Sequence, residues 1–343
     1  MNFRAPDIGI DLGTSNTLIY VRNRGVVISE PTVVVHETGN KRNVAAVGDE
    51  ARYLIGRTTE ALTAVQPLRG GTMDDYEMTE ALLRYFIRKA IGVSFLSPKP
   101  RVCVAVPCSL QAVARKALQE AVKSAGAKQV FLVEKPYAAA IGSGLPVYEP
   151  TGSMVVDIGG GTTDVALVSL GGIVCARSIP VGSVKMDEAV AGYIRRESNM
   201  LVNASTAEAV KIDLGSAVQP GEVKRIRIRG RDTIFNTAKD IEFNAMQCYE
   251  ALREPCQSVL AAIKWVLERT PPELACDVMR NGIYLTGGGS QLSGLDQFIA
   301  TGLGIPVLPA REPGDCTIMG LGYLVENIHL LSSMARQTKT AEN

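Results

Sequence analysis

The chain has 343 residues, of which 46% are hydrophobic and 21% charged, with a formal net charge of +1. That length holds two domains with substantial cores, and the balance of apolar to charged residues is that of a globular chain, not a disordered one. A charge so close to zero excludes general nucleic-acid binding, no apolar run reaches the length of a membrane span, and the N-terminus lacks a cleavable secretory signal.

Ile8-Gly9-Ile10-Asp11-Leu12-Gly13-Thr14-Ser15-Asn16-Thr17 begins as an apolar strand, places an Asp near its end and breaks into a Gly/Thr/Ser turn before a second strand. Residues 7–35 therefore read as three short strands, with turns at Gly13–Asn16 and Asn23-Arg24-Gly25. Residues 36–73 carry Gly, Asn and Lys punctuation and suit a small inserted subdomain. From Asp75 to Ala90, apolar Met78, Leu82, Leu83, Phe86, Ile87 and Ala90 recur at helical spacing. Strand Arg101–Val106 ends at Pro107, a helix follows from about Ser109 to Ser124, then strand Gln129–Val133 and a short helix Pro136–Gly142. Strands alternating with helices imply a largely parallel, flanked sheet.

The opening pattern then recurs. Val155-Val156-Asp157-Ile158-Gly159-Gly160-Gly161-Thr162-Thr163-Asp164 again runs from an apolar strand through an Asp into a Gly/Thr turn. Aligning Asp11 with Asp157 also aligns Gly13 with Gly159 and Thr17 with Thr163. Hairpin strands continue to about Pro180, with helices expected at about 187–198 and 205–217. Lys224–Arg229 alternates Arg and Ile and reads as a solvated edge strand guarded by charge. Helices at about 241–269 and 272–279 precede a strand Gly282–Leu285 and the turn Thr286-Gly287-Gly288-Gly289-Ser290. A last helix follows Asp315 and returns to the first lobe, leaving a polar tail at 336–343.

Glycine lets backbone N–H groups approach a phosphate closely, and Thr and Ser hydroxyls add donors. A carboxylate at the root of each loop can hold Mg²⁺ through its water shell. Two such loops with a third Gly-rich turn imply two duplicated lobes closing on one nucleotide. The boundaries expected are 1–145 plus 313–335 for the first lobe, with an inserted subdomain at about 33–75. The second lobe takes 146–312, with an insertion at about 182–245. The seven scattered cysteines show no C-x-x-C spacing and read as reduced, mostly buried thiols of a cytosolic protein. His36 and His329 are too few for a zinc site or a His-based triad, and read as ordinary surface or packing residues.

Such a duplication is what the actin, sugar-kinase and heat-shock-chaperone ATPase superfamily shows. Within it, GIDLGTSNTLIYV, EPTVVV, VGDEA, MVVDIGGGTTDVALVSLGGIV, STAEAVKIDLGSA, RGRD and RTPPELACDVMRNGIYLTGGGSQLSGLD closely resemble the MreB/Mbl family of bacterial actin homologues, from about residue 7 to about 330. The resemblance implies an actin-like, ribonuclease H-like duplicated α/β fold with a nucleotide cleft between lobes. It implies ATP and Mg²⁺ as cofactors, Asp11 and Asp157 serving the metal. Gly13, Thr14, Ser15, Asn16, Gly159, Gly160, Gly161 and Gly182 would surround the phosphates, with Thr162 and Thr163 near the reacting end. Glu208 and Lys211 would clasp the ribose and adenine edge, and Gly287, Gly288 and Gly289 would pass under the adenosine, with Thr317 to Gly322 as part of the wall.

The resemblance also implies self-assembly into filaments on the cytoplasmic face of the inner membrane, with membrane-bound cell-wall elongation proteins as partners, maintaining cell shape. Val93, Phe95 and Leu96, flanked by Arg88, Lys89, Lys99 and Arg101, sit where this family inserts an apolar loop into the membrane. Two departures stand out. The family's Glu-Glu-Pro is Glu134-Lys135-Pro136, and a charged lysine cannot accept a proton from water or orient it. Lys135 can instead pair with the γ-phosphate, and Glu134 is the candidate to substitute as acceptor, although adjacent residues on a strand point in different directions. The family's Gly-Gly-Asp is Gly182-Ser183-Val184. Together they imply ATP binding with slow or lost hydrolysis. The alternatives are a small-molecule kinase or phosphatase of the superfamily, for which no sugar-site motif is present, and a chaperone ATPase, for which the chain ends too soon.

Overall fold

The apolar residues of Ile8–Leu12 are buried on both faces of the strand, as a central strand between covering layers requires. The computed structural model describes residues 6–56, 60–92, 98–222 and 224–330. The apolar loop of Val93, Phe95 and Leu96 and the tail at 336–343 lie outside the described residues. Ile8–Leu12 pairs antiparallel with Asn16–Val21, which pairs antiparallel with Gly25–Pro31. On its other side it pairs parallel with Arg101–Val106, which in turn pairs parallel with Gln129–Glu134. Parallel neighbours need crossovers, and helices Tyr76–Ile91 and Ala112–Ser124 supply them. Asp75 caps the first by accepting from the Met78 N–H at 3.2 Å.

Helix Lys135–Gly142 follows directly on strand Gln129–Glu134 and packs against helix Cys316–Glu326. Small residues set that approach: a Cβ on Gly320 would lie 1.8 Å from the Ala138 carbonyl oxygen, and one on Gly142 would lie 1.9 Å from that of Cys316. Between residues 34 and 65, strands Val34–Glu37, Asn40–Val47 and Leu62–Val65 form a separate three-stranded sheet beside helix Asp49–Leu54. These elements belong to a unit comprising the residues up to Val147 and those from Asp315 onward.

The second unit, Tyr148–Gly314, repeats the sheet. Ser153–Ile158 is central, antiparallel to Thr163–Ser169, which pairs antiparallel with Gly172–Ile179. On the other side lie Ile283–Thr286 and then Val307–Pro309, both parallel. Strand order and sense match the first sheet position for position, so Asp11 and Asp157 sit at equivalent places. The core here is built from Met154, Val156 and Ile158 with Val190, Ile194, Leu252, Val259 and Ile263 from two long helices, Ser183–Ser198 and Ala245–Leu267.

Four expectations are corrected in this unit. The helix expected from about 241 begins at Ala245, because Ile241 to Asn244 complete a strand paired to Arg225–Asp232. Asn244 then forms a capping box with Gln247, with both hydrogen bonds at 3.0 Å. The Arg/Ile strand is not an edge: it lies between Met200–Leu201 and Ala238–Asn244. Its arginines are tied across the sheet, Arg227 and Arg229 to Asp240 at 3.0 and 2.8 Å. The helix expected at 187–198 starts earlier, at Ser183, and the one expected to reach 217 stops at Leu214, where Gly215 turns the chain. All seven cysteines are free thiols, with Cys103, Cys248, Cys256 and Cys316 buried and Cys276 exposed. Burial pushes the Cys248 and Cys256 thiols up to about 12. His36 is buried, its Nδ1 2.7 Å from the Glu37 carbonyl oxygen.

Candidate functional site

In the first unit the loop after Ile8–Leu12 closes on itself. The Gly13 N–H donates to the Asn16 carbonyl at 3.1 Å, and Thr32 Oγ1 donates to the Gly13 carbonyl at 2.7 Å. Gly13 thus spends its N–H inside the turn, which corrects its expected role as a phosphate donor. What its lack of a side chain provides is close approach, since a Cβ would lie 2.5 Å from the Asn16 oxygen. Thr14 Oγ1 accepts from the Gly71 N–H at 3.2 Å, anchoring a neighbouring turn.

Lys135, the first residue of its helix, is buried and donates from Nζ to Asp11 Oδ1 at 2.8 Å. Strand Arg101–Val106 lies between Ile8–Leu12, which carries Asp11, and Gln129–Glu134, which leads into Lys135, so the two side chains and the hydrogen bond between them together cross two strand spacings, about 10 Å. Glu134 faces elsewhere, as alternation on a strand demands: its carboxylate accepts from Arg115 at 2.8 Å.

The second unit closes its loop in the same way, the Gly159 N–H donating to the Thr162 carbonyl at 2.9 Å. Thr162 and Thr163 commit their hydroxyls locally. Thr162 Oγ1 donates to Asp164 Oδ2 at 2.9 Å, and Thr163 Oγ1 to the Val181 carbonyl at 2.6 Å. The following segment is sewn to the loop, the Ser183 and Val184 N–H groups donating to the Gly159 and Gly160 carbonyls, each at 2.9 Å. Gly182 packs so tightly there that a Cβ would lie 2.5 Å from the Gly160 oxygen. From the other side, Thr286 Oγ1 donates to Asp157 Oδ1 at 3.1 Å, and Gly287, at φ +81°, passes over the Ile158 carbonyl. The segments around Asp157, Gly182 and Gly287 therefore meet in one place.

Glu208 and Lys211 share a helix face but do not pair with each other. Lys211 Nζ lies 2.8 Å from Asp187 and 3.3 Å from the Ser183 carbonyl, which brings it beside Gly182. Burial raises the Asp187 carboxyl above the usual carboxylate range despite that ammonium, and Glu208 and Glu188 push the same way. Asp187 and Arg115 could not be singled out from the sequence, and Thr286 only as part of its turn, because their hydrogen bonds depend on neighbours far off in the chain. Of the wall expected at Thr317 to Gly322, Gly320, Leu321 and Gly322 are taken up in packing against Ala138, Gly9 and Tyr20. Two cations expected beside the apolar loop are also engaged, Lys89 with Glu30 at 2.6 Å and Arg101 with Asp7 at 2.6 Å.

The two carboxylates differ in how they suit Mg²⁺, which takes one or two carboxylates, its waters and phosphate oxygens. Asp157 is a buried carboxylate at the mouth of a Gly-rich loop and fits an outer-sphere role. Asp11 does not fit it, because an ammonium already stands on its oxygen. Among the described residues, no cluster of three or more His, Cys, Asp or Glu side chains could hold a metal by itself.

Two sheets of one topology, each with an Asp-rooted Gly/Thr loop after its central strand, define the actin-like class of folds. The family model of the MreB/Mbl protein matches residues 5–333. The chain belongs to this family. It is 44% identical to cell shape-determining protein MreB of Escherichia coli (strain K12), over 94% of each chain. It is also 44% identical to cell shape-determining protein Mbl of Bacillus subtilis (strain 168), over 95% of this chain and 98% of that one. Among solved structures, MreB5 of Spiroplasma citri bound to AMPPNP superposes with a TM-score of 0.88 at 34% identity, covering 94% of this chain and 97% of that one. A MamK double helical filament, at 22% identity and a TM-score of 0.78, shares the fold.

Proposed function

We propose that this chain is an ATP-binding bacterial actin homologue that assembles into filaments on the cytoplasmic face of the membrane and organises cell-wall synthesis to maintain cell shape. The observation that carries the nucleotide part is the repeated loop closure, Gly13 to Asn16 in one unit and Gly159 to Thr162 in the other. Backbone closed in this way leaves short Gly/Thr arcs suited to phosphate oxygens, with N–H groups and small side chains at the surface of the loop. Thr14, Ser15, Asn16, Gly160 and Gly161 would bind phosphate, Asp157 would hold Mg²⁺ through water, and Glu208, Lys211 and Gly287 to Gly289 would take the nucleoside. The bound ion would supply charge neutralisation of the phosphates. AMPPNP in the S. citri MreB5 supports the nucleotide.

Filament formation and shape determination are supported by family membership and by what the named relatives do. Membrane attachment is assigned to Val93, Phe95 and Leu96 with exposed Arg88 and Lys99, and membrane-bound cell-wall elongation proteins are the proposed partners. Sedimentation tests the assembly claim: the purified chain pellets with ATP, pellets less with ADP, and the ATP polymer floats with anionic liposomes. A chain that remains in the supernatant with ATP at every concentration and ionic strength tried removes the filament reading.

A further inference from the structure

The Lys135 ammonium and the Asp11 carboxylate meet at 2.8 Å, with their side chains only 10% and 13% exposed. A charge-assisted hydrogen bond held largely out of water is strong, and removing one partner leaves the other as an uncompensated buried charge. Lys135 is also well founded, because its helix is locked to Cys316–Glu326 through the close approaches at Gly142 and Gly320. Asp11 stands at the root of a phosphate loop, where a bare carboxylate would attract the hydration shell of Mg²⁺. Here the ammonium cancels that charge. A divalent ion arriving at Asp11 meets the ammonium as well as the carboxylate, and the attraction that would recruit it there is weakened. A phosphate chain meets the same ammonium as an attraction, since a lysine ammonium is itself a point-charge ligand for phosphate.

We propose that Lys135 is a resident cation of this phosphate site and takes over much of the neutralisation a divalent ion supplies, so that an ion held at Asp157 adds little to affinity and the chain binds a free nucleoside triphosphate nearly as tightly as its magnesium complex. The proposal rests on the nucleotide reading above and adds to it a loss of coupling between divalent ion and nucleotide. Such coupling is reciprocal: if Mg²⁺ hardly raises nucleotide affinity, nucleotide hardly raises Mg²⁺ affinity.

Calorimetric titration of the full chain with AMPPNP, in excess Mg²⁺ and again in excess EDTA, tests it without any turnover. The two wild-type dissociation constants are expected to differ by less than about fivefold, the lower end of ordinary coupling between linked sites. Lys135→Glu, which leaves Asp11 without its ammonium, is expected to bind more than about fivefold tighter with Mg²⁺ than with EDTA. Lys135→Ala serves the same purpose with a smaller perturbation, and circular dichroism establishes that each variant is folded. Wild-type binding that weakens more than about fivefold in EDTA overturns the proposal while leaving the nucleotide reading intact. Variants with the wild-type ratio also overturn it, because the insensitivity then has another source. No binding in either buffer overturns the nucleotide reading, and this inference with it.

Discussion

Lys135 occupies the position to which the sequence resemblance assigns a water-orienting glutamate, and in this chain its nitrogen is bound to Asp11 at 2.8 Å. A protonated amine has no lone pair to receive a proton, and Glu134 is drawn off by Arg115. Phosphate release is therefore expected to be far slower than in a family member with Glu-Glu-Pro. Lys135→Glu is expected to raise turnover by about a hundredfold or more, the usual worth of a positioned base. A phosphate-release assay decides. A wild-type rate equal to that of such a relative, and unaffected by Lys135→Ala, would show that another group positions the water. The substitution itself was plain in the sequence; its partner was not, because nothing in the order of residues says that a lysine after one strand reaches an aspartate two strands away.

Helices respond to glycine in opposite ways according to what faces it. Gly320, on Cys316–Glu326, leaves no room for a methyl group against the Ala138 carbonyl, whereas a Cβ on Gly192, in Ser183–Ser198, meets nothing within 4 Å. Gly320→Ala is expected to destabilise the protein by about 1–3 kcal/mol or more through overpacking. Gly192→Ala is expected to stabilise it by about 0.5–1 kcal/mol, because an exposed helical glycine carries only an entropic cost. Urea unfolding of the two variants compares the signs, and a neutral Gly320→Ala would show that the helix contact yields. Elements with a clean period were legible, as the stripe from Met78 to Ala90 shows. Those dictated by partners were not. Ile241 to Asn244 carry too few residues to separate strand from helix, and only pairing with Arg225–Asp232 decides it. The sheet formed by Val34–Glu37, Asn40–Val47 and Leu62–Val65 was hidden because its edge strand Asn40–Val47 is exposed and polar at its start, Asn40-Lys41-Arg42-Asn43.

At the scale of the whole chain, duplication was the most readable feature, since a repeated Asp–Gly–Thr pattern in sequence became a repeated strand order in space. Higher assembly has no such local code, because a surface that meets a second copy or a lipid need satisfy no periodicity within one chain. The membrane proposal depends on Phe95 and Leu96, and replacing both by Ser is expected to abolish liposome co-sedimentation while leaving ATP-dependent polymer intact. Unchanged liposome pelleting would move the membrane contact elsewhere. One asymmetry between the repeated units has a practical use. The chain has a single tryptophan, Trp265, held in the Tyr148–Gly314 unit with the Arg177 and Arg269 guanidinium groups 5.0 and 3.8 Å from its ring centre. Indole emission thus serves as a built-in optical label for half the molecule, silent about the other. Compared with a signal from helices in both halves, it distinguishes a chain that melts all at once from one that comes apart in stages.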